Sequence, residues 1–172
     1  MANYYTLVST HIEKQRKSFY HDIQLPDLKL SIGWGEVNPL SKSQSEIKRG
    51  IEEFYPEYKS TVNPDNGAKS LTLFIHLKPG DIIFVRGNAE IIDVAVITGH
   101  TFFDRAGHYA MDYYLKILFV PLFSDRRTAL KTAEIPDEIY NEVIYDGGRS
   151  IVVRELSEDT ARRLLKAMSN NF

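Results

Sequence analysis

The residue of this chain best suited to making a specific contact is its only tryptophan. Trp34 lies between Gly33 and Gly35 in the stretch LSIGWGEV, near the end of an apolar run. Glycine on both sides allows the backbone to turn sharply or to approach another group closely. Such an indole either offers a stacking surface or plugs one end of the hydrophobic core, and the sequence leaves both interpretations open.

Signatures of common enzymes are missing from the sequence. There is no GxxxxGK[ST] phosphate loop, and GxSxG, HExxH and HRD-like motifs are absent. The absence of cysteine excludes disulfides, thiol nucleophiles and cysteine-ligated zinc. His100 and His108 flank Asp104, so a metal site or a catalytic group in this segment is an alternative. We expect a protein that is not an enzyme and that uses no cofactor or metal.

Composition indicates a single globular domain over residues 1–172. Hydrophobic residues make up 43% and charged residues 26% of the chain, as in ordinary soluble proteins. A net charge of -2 argues against indiscriminate, charge-driven binding to nucleic acid. No apolar run approaches the roughly 20 residues of a membrane span, and the first residues lack a signal-peptide pattern. We therefore expect a cytoplasmic protein that does not bind membranes.

Three amphipathic patterns predict helices. Apolar residues recur at helical spacing in residues 43–58, where Ser43 and Glu46 have the spacing of a capping box. A second helix is predicted over residues 64–77, because proline suits a first helical position. Ser157 is the expected N-cap of a third helix near the end of the chain.

Apolar alternation and β-branched residues predict about six strands. They are residues 4–10, 28–35, 82–85, 90–98, 113–123 and 150–156. The strands that follow residue 78 are joined by short turns, which favours antiparallel pairing. The predicted fold class is α+β, a curved, mostly antiparallel sheet or small barrel of about six strands with about three packed helices.

The order of several short motifs resembles a known group of domains. The motifs are IGWGEVN at residues 32–38, LTLFIHL at 71–77, KPGDIIFV at 78–85, IDVAVITG at 92–99 and FFD at 102–104. This order resembles the EVE and YTH group of the PUA-like superfamily. It is most similar to the N-terminal target-recognition domains of McrB-type and Mrr-type modification-dependent restriction systems. Asp93 and residues 84–86 depart from the family pattern, in which a small glycine and a tyrosine-rich segment are common.

The resemblance implies a PUA-like barrel that sandwiches an extruded, often methylated, base between aromatic side chains. By position, Trp34 matches the first wall of that pocket, and Ser31 with the backbone of Gly33 and Gly35 would contact the base edge. The further pocket candidates are Phe102, Phe103, Tyr109 and Asn66, the aromatic ones being alternatively loop anchors. The candidates for a phosphate-binding rim are Lys42, Lys48, Arg49, Lys69, Arg86 and Arg105, which are alternatively solvated surface cations.

The expected function is a recognition module that binds nucleic acid without catalysing a reaction. The resemblance implies that it is the N-terminal module of a larger restriction machine, which supplies a GTP-driven motor and a nuclease. Its ligand would then be DNA, methylated or not. Two alternatives remain at this point: a PUA-like module that binds RNA, and a non-catalytic interaction domain with a vestigial pocket.

Overall fold

A seven-stranded mixed sheet with helices on both faces forms the described part of the protein. The structure is a computed structural model and describes residues 1–9, 16–56, 64–104, 115–123, 128–144 and 152–171. The predicted α+β class is confirmed. In these segments no helix is both long and apolar enough to cross a lipid bilayer.

The strands are β1 (Tyr4–Val8), β2 (Lys29–Ile32), β3 (Ile82–Arg86), β4 (Ile91–Ile97), β5 (Phe102–Phe103), β6 (Leu115–Pro121) and β7 (Val153–Leu156). The helices are α1 (Arg16–Phe19), α2 (Leu25–Asp27), α3 (Gln44–Phe54), α4 (Pro64–Ile75), α5 (Asp137–Ile144) and α6 (Glu158–Ser169). A π-helical turn (Tyr20–Gln24) joins α1 to α2, and a 3₁₀ turn (Thr132–Glu134) precedes α5.

The sheet differs from the expected barrel in its closure and in one pairing. Its strand order is β2-β6-β4-β3-β1-β7, with β5 also paired to β6. Within the described residues β2 and β7 are the two ends of this order, so the sheet is open. β1 pairs with β3 in parallel, whereas the other strand pairs are antiparallel. Parallel pairing requires a long crossover, and here the chain between β1 and β3 contains β2 and the helices from α1 to α4.

Two hydrophobic clusters lie on opposite faces of the sheet. Alternate residues of β3 show this, because Ile83 and Val85 join one cluster whereas Phe84 joins the other. α3 and α4 cover the first cluster, and α5 and α6 cover the second. The central strands are therefore buried on both faces.

Side-chain caps confirm two of the predicted helix starts. At the first turn of α3, Ser43 Oγ accepts a hydrogen bond from the Glu46 backbone N–H at 3.2 Å. The Glu46 carboxylate accepts one from the Ser43 N–H at 2.7 Å. These hydrogen bonds lower the pKa of Glu46. At the start of α6, Ser157 Oγ accepts from the Thr160 N–H at 3.2 Å.

A buried carboxylate joins three separate segments. Asp93 on β4 is fully buried and accepts hydrogen bonds from Tyr20 Oη at 2.6 Å, the Val94 N–H at 2.7 Å and the Phe123 N–H at 3.1 Å. Burial, together with the neighbouring Asp93 charge, raises the pKa of Tyr20 far above its ordinary value, so the phenol remains a donor. Asp93 thus has a structural role, since it holds the π-helical turn and the end of β6 against β4.

Tyr20→Phe removes a hydrogen bond to the buried Asp93 carboxylate, and Asp93→Asn removes the charge that strengthens this bond. Each should lower the free energy of unfolding by about 1–3 kcal/mol. The double variant should cost less than the sum, since both changes weaken the same contact. Urea denaturation of the four proteins measures the coupling. Strictly additive losses would show that the Tyr20–Asp93 hydrogen bond contributes nothing of its own.

Glu46→Gln should reduce stability at neutral pH but make little difference in acid. The folded pKa of Glu46 lies below its ordinary value, so its ionised form stabilises α3 above the unfolded pKa. That contribution is lost as the pH falls through the folded pKa. Unfolding free energies from pH 3 to pH 7 should converge for the two proteins at the acid end. Glu53→Gln, an exposed position on the same helix, is the control.

Candidate functional site

The turn after β2 is built around Trp34 itself. The backbone of Trp34 is left-handed, with φ 62°, and the glycines on either side have no positive φ. The Val37 N–H donates to the Trp34 carbonyl at 2.9 Å and closes the turn. A left-handed conformation costs a residue with a β-carbon about 1–2 kcal/mol. The sharp turn was predicted, but it is made by the one residue there for which it is unfavourable.

Two helix glycines allow this turn to pack closely against α3 and α4. A β-carbon at Gly67 of α4 would lie 3.2 Å from Trp34 Cζ2, and one at Gly50 of α3 would lie 3.1 Å from Val37 Cγ1. A side chain at either position would crowd its neighbour, so glycine permits the close approach. Tyr55, at the end of α3, accepts a hydrogen bond from the Glu36 N–H at 3.2 Å through its phenol oxygen. Tyr55 was not predicted as part of the site.

The Trp34 side chain is half-buried. It packs against the core cluster beneath α3 and α4, and part of its surface remains open to solvent. Partial burial is compatible with both interpretations, a stacking surface and a plug at the end of the core.

The other predicted pocket residues do not converge on one face of the sheet. Phe103 pairs with Leu115, which pairs with Ile32, and this row faces the core. Ser31 and Phe102 both pair with Lys116 and therefore lie on the opposite face. Phe103 packs on the same core cluster as Trp34, whereas Ser31 and Phe102 point away from it.

A buried hydrogen-bond network surrounds Ser31. Its Oγ accepts from Gln24 Nε2 at 3.1 Å, and Gln24 Oε1 in turn accepts from Ser9 Oγ at 2.8 Å. Gln24 is buried at the end of the π-helical turn. This network fixes Gln24 between β1 and β2, so the observed contacts of Ser31 are structural. Gly35 is buried and Gly33 half-buried, and Tyr109 lies outside the described residues.

Asp104 forms ion pairs with two lysines. Its carboxylate lies 3.0 Å from Lys29 Nζ and 3.5 Å from Lys116 Nζ, and the Lys29 ammonium also lies 5.9 Å from the centre of the Phe102 ring. Of the two candidate histidines, His100 is exposed and His108 is outside the described residues. Within the described segments no group of three or more His, Asp or Glu residues is placed to hold a metal.

The predicted cationic rim lies mainly on and before α3 and α4. Lys42, Arg49 and Lys69 are exposed. Lys48 forms an ion pair of 3.1 Å with Asp65 that links the two helices. This pair raises the pKa of Lys48. Arg105 is outside the described residues.

The prediction that Arg86 belongs to the phosphate-binding rim is wrong. Its side chain is 1% exposed, the largest among the fully buried side chains. It donates to the carbonyl oxygens of Asn88 and Ile144, each at 3.3 Å. Arg86 therefore holds the end of α5 in the interior and does not face a phosphate at the surface.

A cleft lies between α4 and the edge strand β7. Its volume is about 260 Å³, and it is lined by Asn66, Lys69, Ser70, Leu73, Val153, Arg154 and Glu155. The four helix residues recur at positions i, i+3, i+4 and i+7, so they share one face of α4. Ser70 Oγ accepts from the Val152 and Val153 N–H groups at 3.0 and 3.3 Å and joins the two walls. Asn66 and Lys69 were predicted as contacts, whereas Arg154 and Glu155 come from a distant part of the chain and were missed.

Gly67→Ala should displace the indole without unfolding the protein. The added methyl group would meet Trp34 and Ile51 at 3.1–3.2 Å, and the half-exposed Trp34 is the freer of the two to move. Better helix propensity offsets part of the crowding, so the free energy of unfolding should change by less than about 1 kcal/mol. Emission from the lone tryptophan should shift to longer wavelength as water reaches the ring. An unchanged spectrum would contradict the close contact of Trp34 with α4.

Two solved structures are similar in fold to this chain. A "Hypothetical protein from Leishmania major" superposes with a TM-score of 0.55 at 9% identity, covering 99% of this chain and 97% of that one. Protein PSPTO5229 from Pseudomonas syringae superposes with a TM-score of 0.52 at 12% identity, covering 96% and 99%. At such identities the likeness concerns the fold alone.

No curated protein matches the sequence. Residues 10–117, more than half of the chain, match the family described as "Domain of unknown function (DUF8426)". The chain belongs to the DUF8426 family.

Proposed function

We propose that this protein is a PUA-like recognition module that stacks an extruded nucleic-acid base on the indole of Trp34. The conformation of Trp34 carries the proposal. A bulky side chain is held in a left-handed turn at a cost that glycine would avoid, and the residue stays partly exposed. Strained residues of this kind concentrate at binding and catalytic sites. A ligand of the indole would account for the strain at Trp34.

The energetics of stacking suit a half-buried indole. Unstacking a base from a duplex costs a few kcal/mol, and stacking on an aromatic side chain returns roughly 1–3 kcal/mol per base. A base that is damaged, mismatched or already single-stranded costs less to present. A methyl group on the base adds apolar area over the ring. Trp34 thus favours modified or unpaired bases over stacked ones.

The distribution of charge supports a module that discriminates between bases and adds little to the overall affinity for DNA. Lys42, Arg49 and Lys69 place exposed cations around the helices that seat Trp34, although the whole chain carries a net charge of -2. Binding by charge alone would be weak and sensitive to salt. We propose that affinity comes from the rest of a modification-dependent restriction machine, whose motor and nuclease act on the DNA that this module recognises. In this proposal the module itself catalyses no reaction.

Fluorescence titration of Trp34 tests the proposal directly. An oligonucleotide with a methylated base should quench the lone tryptophan at lower concentration than its unmodified counterpart. Quenching by RNA but by neither DNA would replace this proposal with an RNA-binding module. No quenching by any of the three would overturn base recognition by Trp34.

Replacing Trp34 separates binding from backbone strain. Trp34→Gly and Trp34→Ala both remove the stacking surface, so both should lose binding to a labelled oligonucleotide in fluorescence anisotropy. Trp34→Gly should be more stable than Trp34→Ala by about 1 kcal/mol, because only glycine adopts a positive φ without strain. Phe54→Ala is the matched control, since Phe54 is an aromatic residue of α3 that is 52% exposed. Wild-type affinity in Trp34→Gly would be incompatible with the stacking role.

A further inference from the structure

We infer that the cleft between α4 and β7 binds an extended peptide segment of a partner protein, which adds to the sheet as a strand parallel to β7. The inference goes beyond the proposed function and does not depend on it, because neither Trp34 nor a nucleic acid takes part. It rests on the open edge of β7, on a hydrogen bond of Ser70 and on the space beside them.

The open edge of β7 carries the backbone groups of alternate residues. Within the described sheet β7 has one neighbour, β1, with which it runs antiparallel. The Val8 N–H donates to the Val152 carbonyl at 2.8 Å. In such a pair only every second residue exchanges hydrogen bonds with the other strand, so Arg154 also bonds to β1. Val153 and Glu155 therefore direct their N–H and C=O groups at the open edge, which borders the cleft.

A hydrogen bond to Ser70 already uses one of these groups. The Val153 N–H donates to Ser70 Oγ at 3.3 Å, and both residues are buried. The groups that the edge offers to a ligand are thus the Val153 carbonyl and the N–H and carbonyl of Glu155. A ligand that bonds to all three must supply two donors and one acceptor along an extended backbone.

This set of groups selects the direction of the added strand. An antiparallel strand would set one residue opposite Val153, and the carbonyl of that residue would need the N–H that Ser70 holds. In a parallel strand the residue opposite Arg154 makes the bonds, because its N–H donates to the Val153 carbonyl and its carbonyl accepts from the Glu155 N–H. The residue two positions later donates to the Glu155 carbonyl. Parallel addition therefore satisfies all three groups and leaves Ser70 in place.

The same argument decides between a partner protein and a second copy of this chain. Two β7 strands related by a two-fold axis would pair antiparallel across their edges, and each would compete with Ser70 of the other copy. A peptide from a different protein has no such restriction on its direction. Strand addition is a recurring mode of peptide recognition, in which backbone hydrogen bonds give affinity and alternate side chains give specificity.

The cleft also indicates which side chains the peptide carries. Side chains beside Val153 and Glu155 face α4, because Val153 belongs to the core cluster that this helix covers. Next to buried Val153 and half-buried Leu73 the cleft suits a small apolar side chain. Next to the exposed carboxylate of Glu155 it suits a lysine or an arginine.

The volume of the cleft agrees with two such side chains. A volume of about 260 Å³ corresponds to on the order of nine water molecules, close to the roughly eight non-hydrogen atoms in the side chains of one valine and one lysine. The cleft is thus large enough for alternate side chains of one strand and too small for a folded element.

Fluorescence anisotropy with a labelled peptide, GTVTKVTG, tests the inference. In the expected register its first valine lies beside Val153, the next threonine opposite Arg154 and the lysine beside Glu155. The peptide should bind saturably below about 1 mM. N-methylation of that threonine or of the second valine should weaken binding at least about fivefold, because each loses a hydrogen bond to β7. N-methylation of the lysine is the matched control and should change little, since its N–H points away from β7.

Variants of Glu155 locate the site on the protein. Glu155→Pro removes the N–H that the edge donates and should weaken binding at least about tenfold, while an edge strand accepts proline where the N–H faces outward. Glu155→Gln keeps the N–H and loses the charge, so binding should weaken only about twofold. Trp34→Gly should bind the peptide as the wild type does, which keeps this test separate from that of base recognition.

Three results would overturn the inference. Unchanged binding by Glu155→Pro would place the peptide elsewhere, and no saturable binding by the wild type up to about 1 mM would exclude the cleft as a site for this peptide class. Loss of binding on N-methylation of the lysine alone would show antiparallel addition and contradict the role given to Ser70. The methylated peptides keep the test decisive even if Glu155→Pro fails to fold.

Discussion

The candidate site depends on the close packing of one turn against two helices. Trp34 packs against Gly67 and Val37 packs against Gly50, and a β-carbon at either glycine would crowd these contacts. The same contact fixes α3 beside α4, which the Lys48–Asp65 ion pair spans at the surface. An exposed pair of this kind contributes little to stability, so the packing of the turn is the stronger constraint.

Sequence patterns were sufficient to predict those helices and strands whose stabilising contacts are local in the chain. The capping box of α3 and the serine cap of α6 lie within four residues of sequence, and both were predicted correctly. Strand positions were found within a few residues because alternation of apolar side chains is local as well. The two-residue strand β5 is too short to produce such a pattern. The eight residues of α5 (Asp137–Ile144) were missed, although their buried positions do follow helical spacing.

Non-local contacts account for what the sequence could not indicate. The parallel pairing of β1 with β3 joins segments on either side of a long crossover, and nothing within either strand specifies it. Arg86 was assigned to the surface as a typical cation, yet its partner is the carbonyl of Ile144 far along the chain. The cleft combines a face of α4 with residues of β7, so only half of its lining could have been suggested by helical periodicity. The left-handed backbone of Trp34 was not predicted, because the flanking glycines were the obvious place for such a conformation.

The hydrogen bonds that Ser70 accepts from Val152 and Val153 also affect how β7 could pair with another molecule. β7 is an end strand of the described sheet, and the unpaired N–H and C=O groups of such a strand are a template on which another chain can add. Ser70 occupies the N–H groups of Val152 and Val153 from the side, and the body of α4 stands next to them. A second molecule that pairs with β7 at Val153 would first have to displace Ser70.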